Sequence, residues 1–140
     1  MAKISGKQMN NNNTLKAVHH VAIICSDYAS SKHFYSEVLG LKLLAENYRE
    51  HRDSYKLDLQ LPDGSQIELF SFPNPPPRPS KPEALGLRHL AFKVDSVEEF
   101  AHYLEERGIA VEPIRVDEFT DKKYTFFQDP DGLPLELYES

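Results

Sequence analysis

The sequence predicts an α+β fold in which a βαβββ module occurs twice. The segment HHVAIICSD at 19–27 returns as RHLAFKVDS at 88–96, and a helical pattern that ends in glycine follows each copy. Each half then runs through β-type segments to an Asp-Gly turn and a final strand, LPDGSQIELF at 61–70 and QDPDGLPLELY at 128–138. These repeated features indicate two equivalent modules.

The spacing of the glycines supports the duplication. Gly40 and Gly64 are 24 residues apart, as are Gly108 and Gly132. In both halves a glutamate lies 4 residues after the glycine of the Asp-Gly turn, inside an apolar strand. Because chance does not produce agreement over such a length, we interpret the pattern as an internal repeat.

The helices are predicted from apolar residues three to four positions apart. In YASSKHFYSEVLG, at 28–40, these residues fall on one side of a helix, and a final glycine ends it. In SVEEFAHYLEERG, at 96–108, Ser96 and Glu99 form a capping-box pattern at the start.

A proline-rich segment divides the chain into its two modules. Residues 72–86 hold six of the ten prolines, and such a segment is stiff and cannot continue a sheet. We therefore predict one domain over 15–140, with a first module at 15–71 and a second at 87–140. Residues 1–14 are rich in asparagine and are expected to be a disordered extension.

Composition limits the classes of partner. The net charge of −6 argues against a nucleic acid or an anionic membrane surface. No apolar run approaches the roughly 20 residues that span a bilayer, and the N-terminus has no secretory core. The single cysteine, Cys25, suits a reducing compartment. A cytoplasmic protein with a small-molecule partner is expected.

Two histidines and two glutamates occupy equivalent positions in the repeat. His20 and His89 begin the first strands, and Glu68 and Glu136 lie in the last strands, all in apolar surroundings. A mostly buried carboxylate is unfavourable unless it is paired or bound to a metal. The alternative is that all four lie at partly solvated strand edges. If the modules pair symmetrically, the four side chains converge and form a divalent metal site.

Strand alternation separates the two adjacent histidines. His20 is expected to share a face with Ala22 and Ile24, whereas His19 should point to the opposite side. His19 is therefore predicted to be dispensable for metal binding.

These residues resemble the vicinal-oxygen-chelate superfamily of glyoxalase I, bleomycin-resistance proteins and extradiol dioxygenases, over 15–140. Within it, the chain is similar to small bacterial glyoxalase-like proteins of the YaeR type, through VHHVAII, IELFSFPNPPPRPSKPEALGLRHLAF and IRVDEFTDKKYTFFQDPDGLPLELYE. The glyoxalase I branch has a His, Glu, His, Glu metal pattern, and His20, Glu68, His89 and Glu136 occupy it in order. The resemblance implies curved sheets around a cleft with one divalent ion (Ni, Zn, Co, Mn or Fe).

The resemblance also implies an activity. It is that of a glyoxalase-like lyase or isomerase, which moves a proton through a metal-stabilised enediolate on a small α-hydroxycarbonyl or thiohemiacetal. Glu136 would be the base and Glu68 its counterpart. A homodimer is expected, and the ligands come from one chain or from two.

At two positions the chain lacks residues with which glyoxalase I binds glutathione. Glyoxalase I has an arginine that binds glutathione where this chain has Ile24, and an asparagine with the same role where this chain has Phe72. Turnover of the glutathione adduct of methylglyoxal is therefore expected to be poor. The cations expected near the cleft, as candidates for substrate binding, are Arg49, Arg52, Lys56, Lys122 and Lys123.

Other functions of this superfamily remain as alternatives. They are a non-catalytic binding protein of the bleomycin-resistance kind, an epimerase, an extradiol dioxygenase and a thiol transferase acting on fosfomycin. Cys25 as a nucleophile is the weakest hypothesis, because a small buried cysteine is usually structural. The YTFF segment at 124–127 is expected to belong to the core.

Overall fold

Each half of the chain forms its own four-stranded mixed sheet in the computed structural model, which describes residues 11–140. The first sheet has the order β1-β4-β3-β2. Its strands are β1 (His20–Cys25), β2 (Lys42–Arg49), β3 (Ser54–Gln60) and β4 (Gln66–Ser71). The first and last strands of this half pair in parallel, and the other pairs are antiparallel.

The second sheet repeats this topology in the order β5-β8-β7-β6. Its strands are β5 (Leu90–Val94), β6 (Arg115–Val116), β7 (Lys123–Gln128) and β8 (Pro134–Glu139). Again the first and last strands are parallel, while the remaining pairs are antiparallel. The predicted α+β class is confirmed.

One helical segment follows the first strand of each half. In α1 (Tyr28–His33) the side chain of Asp27 caps the N-terminus, and in α2 (Val97–Glu106) the hydroxyl of Ser96 accepts from the backbone N–H of Glu99. The first helix then widens into a π-helical turn at Phe34–Val38, where the sequence pattern predicted a regular helix. The adjacent Phe34 and Tyr35 of this turn both lie in the core.

The core lies between the two sheets and the helices. Strand alternation turns Leu57, Leu59, Ile67 and Leu69 of the first sheet inward, each at most 1% exposed. Leu135, Leu137 and Phe127 do the same in the second sheet, and all of them belong to one hydrophobic cluster. The opposite faces of both sheets, here called the open faces, therefore carry the residues that alternate with these.

A buried hydrogen bond joins the two halves. The Tyr35 hydroxyl donates to Asp129 Oδ2 at 2.8 Å, and Asp129 Oδ1 accepts from the backbone N–H groups of Asp131 and Leu133. Burial, with the Asp129 carboxylate beside it, raises the pKa of Tyr35 above its usual range, so the hydroxyl remains protonated. This bond ties α1 and its π-turn to the β7–β8 turn.

Replacing Tyr35 with Phe is expected to lower the free energy of unfolding by about 2 kcal/mol, because a buried carboxylate loses a charge-assisted hydrogen bond. The matched control is Tyr48→Phe, since Tyr48 is 50% exposed and its hydroxyl bonds Asp53 at the surface. The control should stay within about 0.5 kcal/mol of the parent protein in urea unfolding. Equal losses from both substitutions would contradict the role given to the buried bond.

The proline-rich segment contains no helix or strand between Ser71 and Leu90. Arg78 holds it against the second module by donating to the carbonyls of Leu87 and Arg88, at 3.0 and 3.2 Å. Of the predicted disordered extension, 1–10 lies outside the described residues and Asn11–Asn13 forms a short 3-10 turn. No helix in the described part of the chain is long and apolar enough to cross a membrane.

Candidate metal and substrate site

The first candidate pair of metal ligands lies on the open face of the first sheet. Glu68 alternates with the buried Ile67 and Leu69, so its carboxylate points away from the core. On the neighbouring parallel strand, Ala22 is in register with Glu68, which places His20 diagonally opposite. The two side chains meet, with His20 Nε2 3.4 Å from Glu68 Oε2. The Glu68 side chain is only 15% exposed and that of His20 40%.

The second pair repeats this arrangement on the other sheet. Ala91 is in register with Glu136, and His89 Nε2 lies 3.1 Å from Glu136 Oε1. The Glu136 side chain is 12% exposed, and the rings of His89 and Phe126 meet edge to face. The duplication in sequence therefore produces two equivalent imidazole–carboxylate pairs in space.

The structure corrects the orientation predicted for His19. Strand β1 begins at His20, so strict alternation does not extend to its predecessor. The rings of His19 and His20 meet edge to face, with their Nδ1 atoms 2.9 Å apart. This contact leaves Nε2 of His20 directed at Glu68. His19 thus lies against the ring of a candidate ligand rather than away from it.

The two pairs do not meet within one chain. Over residues 11–140, no three side chains of His, Cys, Asp or Glu come close enough to hold a single ion. The inner faces of both sheets contribute to one hydrophobic cluster, whereas the two pairs lie on the opposite faces. Each pair nevertheless offers one imidazole nitrogen and one carboxylate oxygen, which are donors that suit divalent transition metals. Each pair can therefore supply half of the ligands of one metal site.

Three of the five candidate cations lie on the open face of the first sheet or at its rim. The Arg49 guanidinium lies 4.9 Å from the ring centroid of Phe70, and that of Arg52 lies 5.2 Å from Phe72. The Lys56 ammonium is 2.7 Å from Asp58 Oδ1 and 3.9 Å from Glu68 Oε2.

The other two cations are elsewhere. Lys123 alternates with Tyr124 along β7, so its ammonium turns to the core side and pairs with Glu98 of α2. Lys122 donates to the carbonyl of Ser140 at 2.9 Å. Both lysines are thus engaged at the C-terminal end of the second sheet or with α2, and neither contacts a candidate metal ligand.

Sequence reasoning missed the residues that line the second open face. Thr125 and Phe127 are buried as predicted for the YTFF segment, but Tyr124 and Phe126 alternate onto the open face. The guanidinium of Arg115 lies 5.3 and 5.6 Å from their ring centroids. A cavity of about 780 Å³ lies here, lined by His89 and Phe126 and by the proline-rich segment. Applying period-two alternation to YTFF would have found both aromatic residues.

Cys25 is not arranged as a nucleophile. Its side chain is buried, and burial, with a further contribution from Asp131, raises the pKa of the thiol to about 11. The thiol is therefore protonated at neutral pH, which makes it unreactive.

Comparison with known proteins agrees with the fold. The family model of the Glyoxalase/Bleomycin resistance protein/Dioxygenase superfamily matches residues 17–137. Two curated relatives, both described as uncharacterized, are YaeR of Escherichia coli (61% identical) and YwkD of Bacillus subtilis (60% identical). Each alignment covers 89% of this chain, with 97% of YaeR and 98% of YwkD. A crystal structure of a glyoxalase family protein from Enterococcus faecalis is 56% identical, with a TM-score of 0.83 over 89% of this chain and 98% of that one.

More distant relatives have named activities. A 2-epi-5-epi-valiolone epimerase from Actinomyces is 30% identical over 86% of this chain and 78% of its own length. The metallothiol transferase FosB of Staphylococcus saprophyticus is 26% identical over 89% of this chain and 77% of its own. The resemblance predicted from the sequence is confirmed: the chain belongs to the Glyoxalase/Bleomycin resistance protein/Dioxygenase superfamily.

Proposed function

We propose that this protein is a metal-dependent, glyoxalase-like isomerase or lyase that acts on a small α-hydroxycarbonyl or thiohemiacetal. The observation that carries the proposal is the duplicated imidazole–carboxylate pair, His20 with Glu68 and His89 with Glu136, on the two open faces. Membership of the superfamily supports it, as do the relatives named as an epimerase and a metallothiol transferase.

The complete site would lie between two copies of the chain. One copy would offer His20 and Glu68, and the other would offer His89 and Glu136. Two features support this arrangement: over residues 11–140 the donors stay in two groups, and both groups lie on the open faces of the sheets and not in the shared core. A two-fold homodimer would then contain two equivalent sites.

The four ligands would have distinct roles. When bound, a divalent ion supplies Lewis-acid stabilisation of the negative charge that develops on the substrate. His20 and His89 would hold the ion, and Glu68 would stay close to the Lys56 ammonium, 3.9 Å away. Glu136 has no lysine or arginine within ion-pair distance among the described residues. Its carboxylate is therefore the freer of the two to take a proton from one carbon and return it to the next.

Metal content tests the ligand set. We expect His20→Ala and His89→Ala each to remove most of the bound ion from the purified protein, because each deletes a donor of a shared site. His19→Ala should have a smaller effect, within about 10–100-fold in affinity, because His19 touches the ring of a ligand but would not bind the ion itself. Elemental analysis and competitive chelator titration measure these changes.

The matched control for this measurement is His102→Ala. His102 forms a similar contact with Glu106, 3.2 Å away, but on the exposed surface of α2. Metal content should be unchanged in this variant. A loss as large as that of His89→Ala, or full occupancy in the His20 and His89 variants, would contradict the proposed ligands.

Proton exchange tests the activity itself. The metal-loaded protein is incubated in deuterated water with α-hydroxycarbonyls and with hemithioacetals of several thiols, and the carbon-bound protons are followed by NMR. Metal-dependent incorporation of deuterium at the carbon next to the carbonyl supports the proposal. No incorporation into any of these compounds by fully loaded protein would favour the binding-protein alternative.

A further inference from the structure

We infer that Arg49 and Arg52 form an anion-binding site beside the His20–Glu68 pair, so that the substrate carries a phosphate or carboxylate group. This inference rests on the proposed function, because it names the class of substrate that the same site would take. It concerns a part of the open face that the proposed chemistry itself does not use.

The two guanidiniums are held in place by aromatic rings. Arg49 lies 4.9 Å from the centroid of Phe70 and 5.6 Å from that of Phe72, and Arg52 lies 5.2 Å from the centroid of Phe72. Stacking of this kind fixes a guanidinium without using the N–H groups at its edge. Phe72 therefore serves as a shared support for two cations.

Neither guanidinium has a carboxylate within ion-pair distance in the part of the chain that the structure describes. Arg49 donates to the buried hydroxyl of Ser54 at 2.9 Å, and its Nε is buried without a hydrogen-bond partner. Glu50, next to Arg49 in sequence, and Asp53, next to Arg52, form no ion pair with either guanidinium, and Asp53 accepts from the Tyr48 hydroxyl instead.

Two other cations beside the open faces do have a carboxylate partner. Lys56 is paired with Asp58, and Arg115, although it also lies over aromatic rings, is paired with Glu112 at 2.7 Å. The positive charge of these two residues is balanced within the chain. Arg49 and Arg52 are not balanced in this way, and a planar guanidinium without a counter-ion matches a phosphate or carboxylate.

The position of the two arginines relates them to the candidate metal ligands. Phe70, which supports Arg49, is two residues after Glu68 on β4 and on the same face, a separation of about 7 Å along a strand. Lys56 is in register with Phe70 and extends towards Glu68. An anionic group held by the arginines would thus leave the rest of a small substrate over the His20–Glu68 pair.

The test compares three α-hydroxyketones by calorimetric titration of the metal-loaded protein. Dihydroxyacetone is neutral, dihydroxyacetone phosphate carries a phosphate, and 5-hydroxy-4-oxopentanoate carries a carboxylate. We expect at least one acidic probe to bind roughly tenfold or more tightly than the neutral one, because charge-assisted hydrogen bonds are stronger than neutral ones. The acidic probe with the larger gain in affinity over dihydroxyacetone identifies the anionic group that the site prefers.

The variants are Arg49→Gln, Arg52→Gln and their combination, and the preference for the acidic probe should disappear in the combined variant. Arg52 is exposed, so its substitution leaves the fold intact even if that of Arg49 does not. The control is Arg107→Gln, since Arg107 also lies over an aromatic ring, Tyr103 at 3.6 Å, but at the C-terminal end of α2. It should keep the full preference.

Equal affinity for all three probes, or a preference that survives the double substitution, would overturn the anion site. Because binding is measured separately from proton exchange, the two proposals fail separately. Arginine-dependent binding of an acid without proton exchange would retain the anion site and remove the isomerase. Proton exchange without a preference for the acidic probes would retain the isomerase and remove the anion site.

Discussion

Replacing Glu136 with Gln should lower turnover by about 10²–10⁴-fold, the range typical for loss of a general base. The amide keeps an oxygen next to His89 but cannot accept a proton from carbon. Metal affinity should fall much less than turnover does, because the amide oxygen of Gln can still bind the ion, whereas alanine in the His20 and His89 variants offers no donor. Deuterium incorporation and metal content, measured on the same preparation, separate the two effects.

The control for this substitution is Glu106→Gln. Glu106 also faces a histidine, His102, but its side chain is 61% exposed and lies on α2. It should retain full activity and full metal content. If Glu136→Gln retained activity while Glu68→Gln lost it, the roles given to the two glutamates would be exchanged. If Glu136→Gln lost metal and activity in parallel, Glu136 would act only as a ligand.

Much of the fold could be predicted because the duplication imposes the same pattern twice. The Asp-Gly turns fixed where each final strand begins, and Gly64 and Gly132 adopt φ of 93° and 82° there. The alternation that buries Ile67 and Leu69 also predicts that Glu68 points away from the core. The π-helical turn could not be predicted, because apolar residues at three-to-four spacing do not distinguish it from a regular helix.

Details of the candidate site depended on where each strand starts and on which face each residue takes. Lys123 was expected near the cleft from its charge alone, yet its place in β7 turns it towards α2. His19 was expected to point away, yet it precedes β1 and contacts His20. A shift of one residue reverses the face of a strand residue, so the exact start of each strand decides where these side chains point.

The relation between the two open faces could not be predicted at all. Alternation shows which side chains share a face of one sheet, but it does not show which sheet lies opposite. The contacts of Arg49 with Phe70 and Phe72 could not be predicted either, because both rings lie about twenty residues away in sequence and meet Arg49 only through strand pairing.

Mixing two inactive variants should restore activity if each site is shared between two copies. In the first variant His20→Ala is combined with Glu68→Gln, and in the second His89→Ala is combined with Glu136→Gln. Each variant alone should bind little metal and show no turnover. In a heterodimer, the intact first half of one chain would meet the intact second half of the other, and one complete site would form.

Random pairing makes half of the dimers mixed, each with one of two sites intact, so activity should return to about a quarter of that of the unmodified protein. Differently tagged chains, co-expressed and purified through both tags, isolate the mixed dimer, and its metal content should be about one ion per dimer. If all four ligands came from one chain, every chain in the mixture would lack two of them, and the purified heterodimer would remain inactive. A monomer in light scattering at micromolar concentration would exclude the shared site directly.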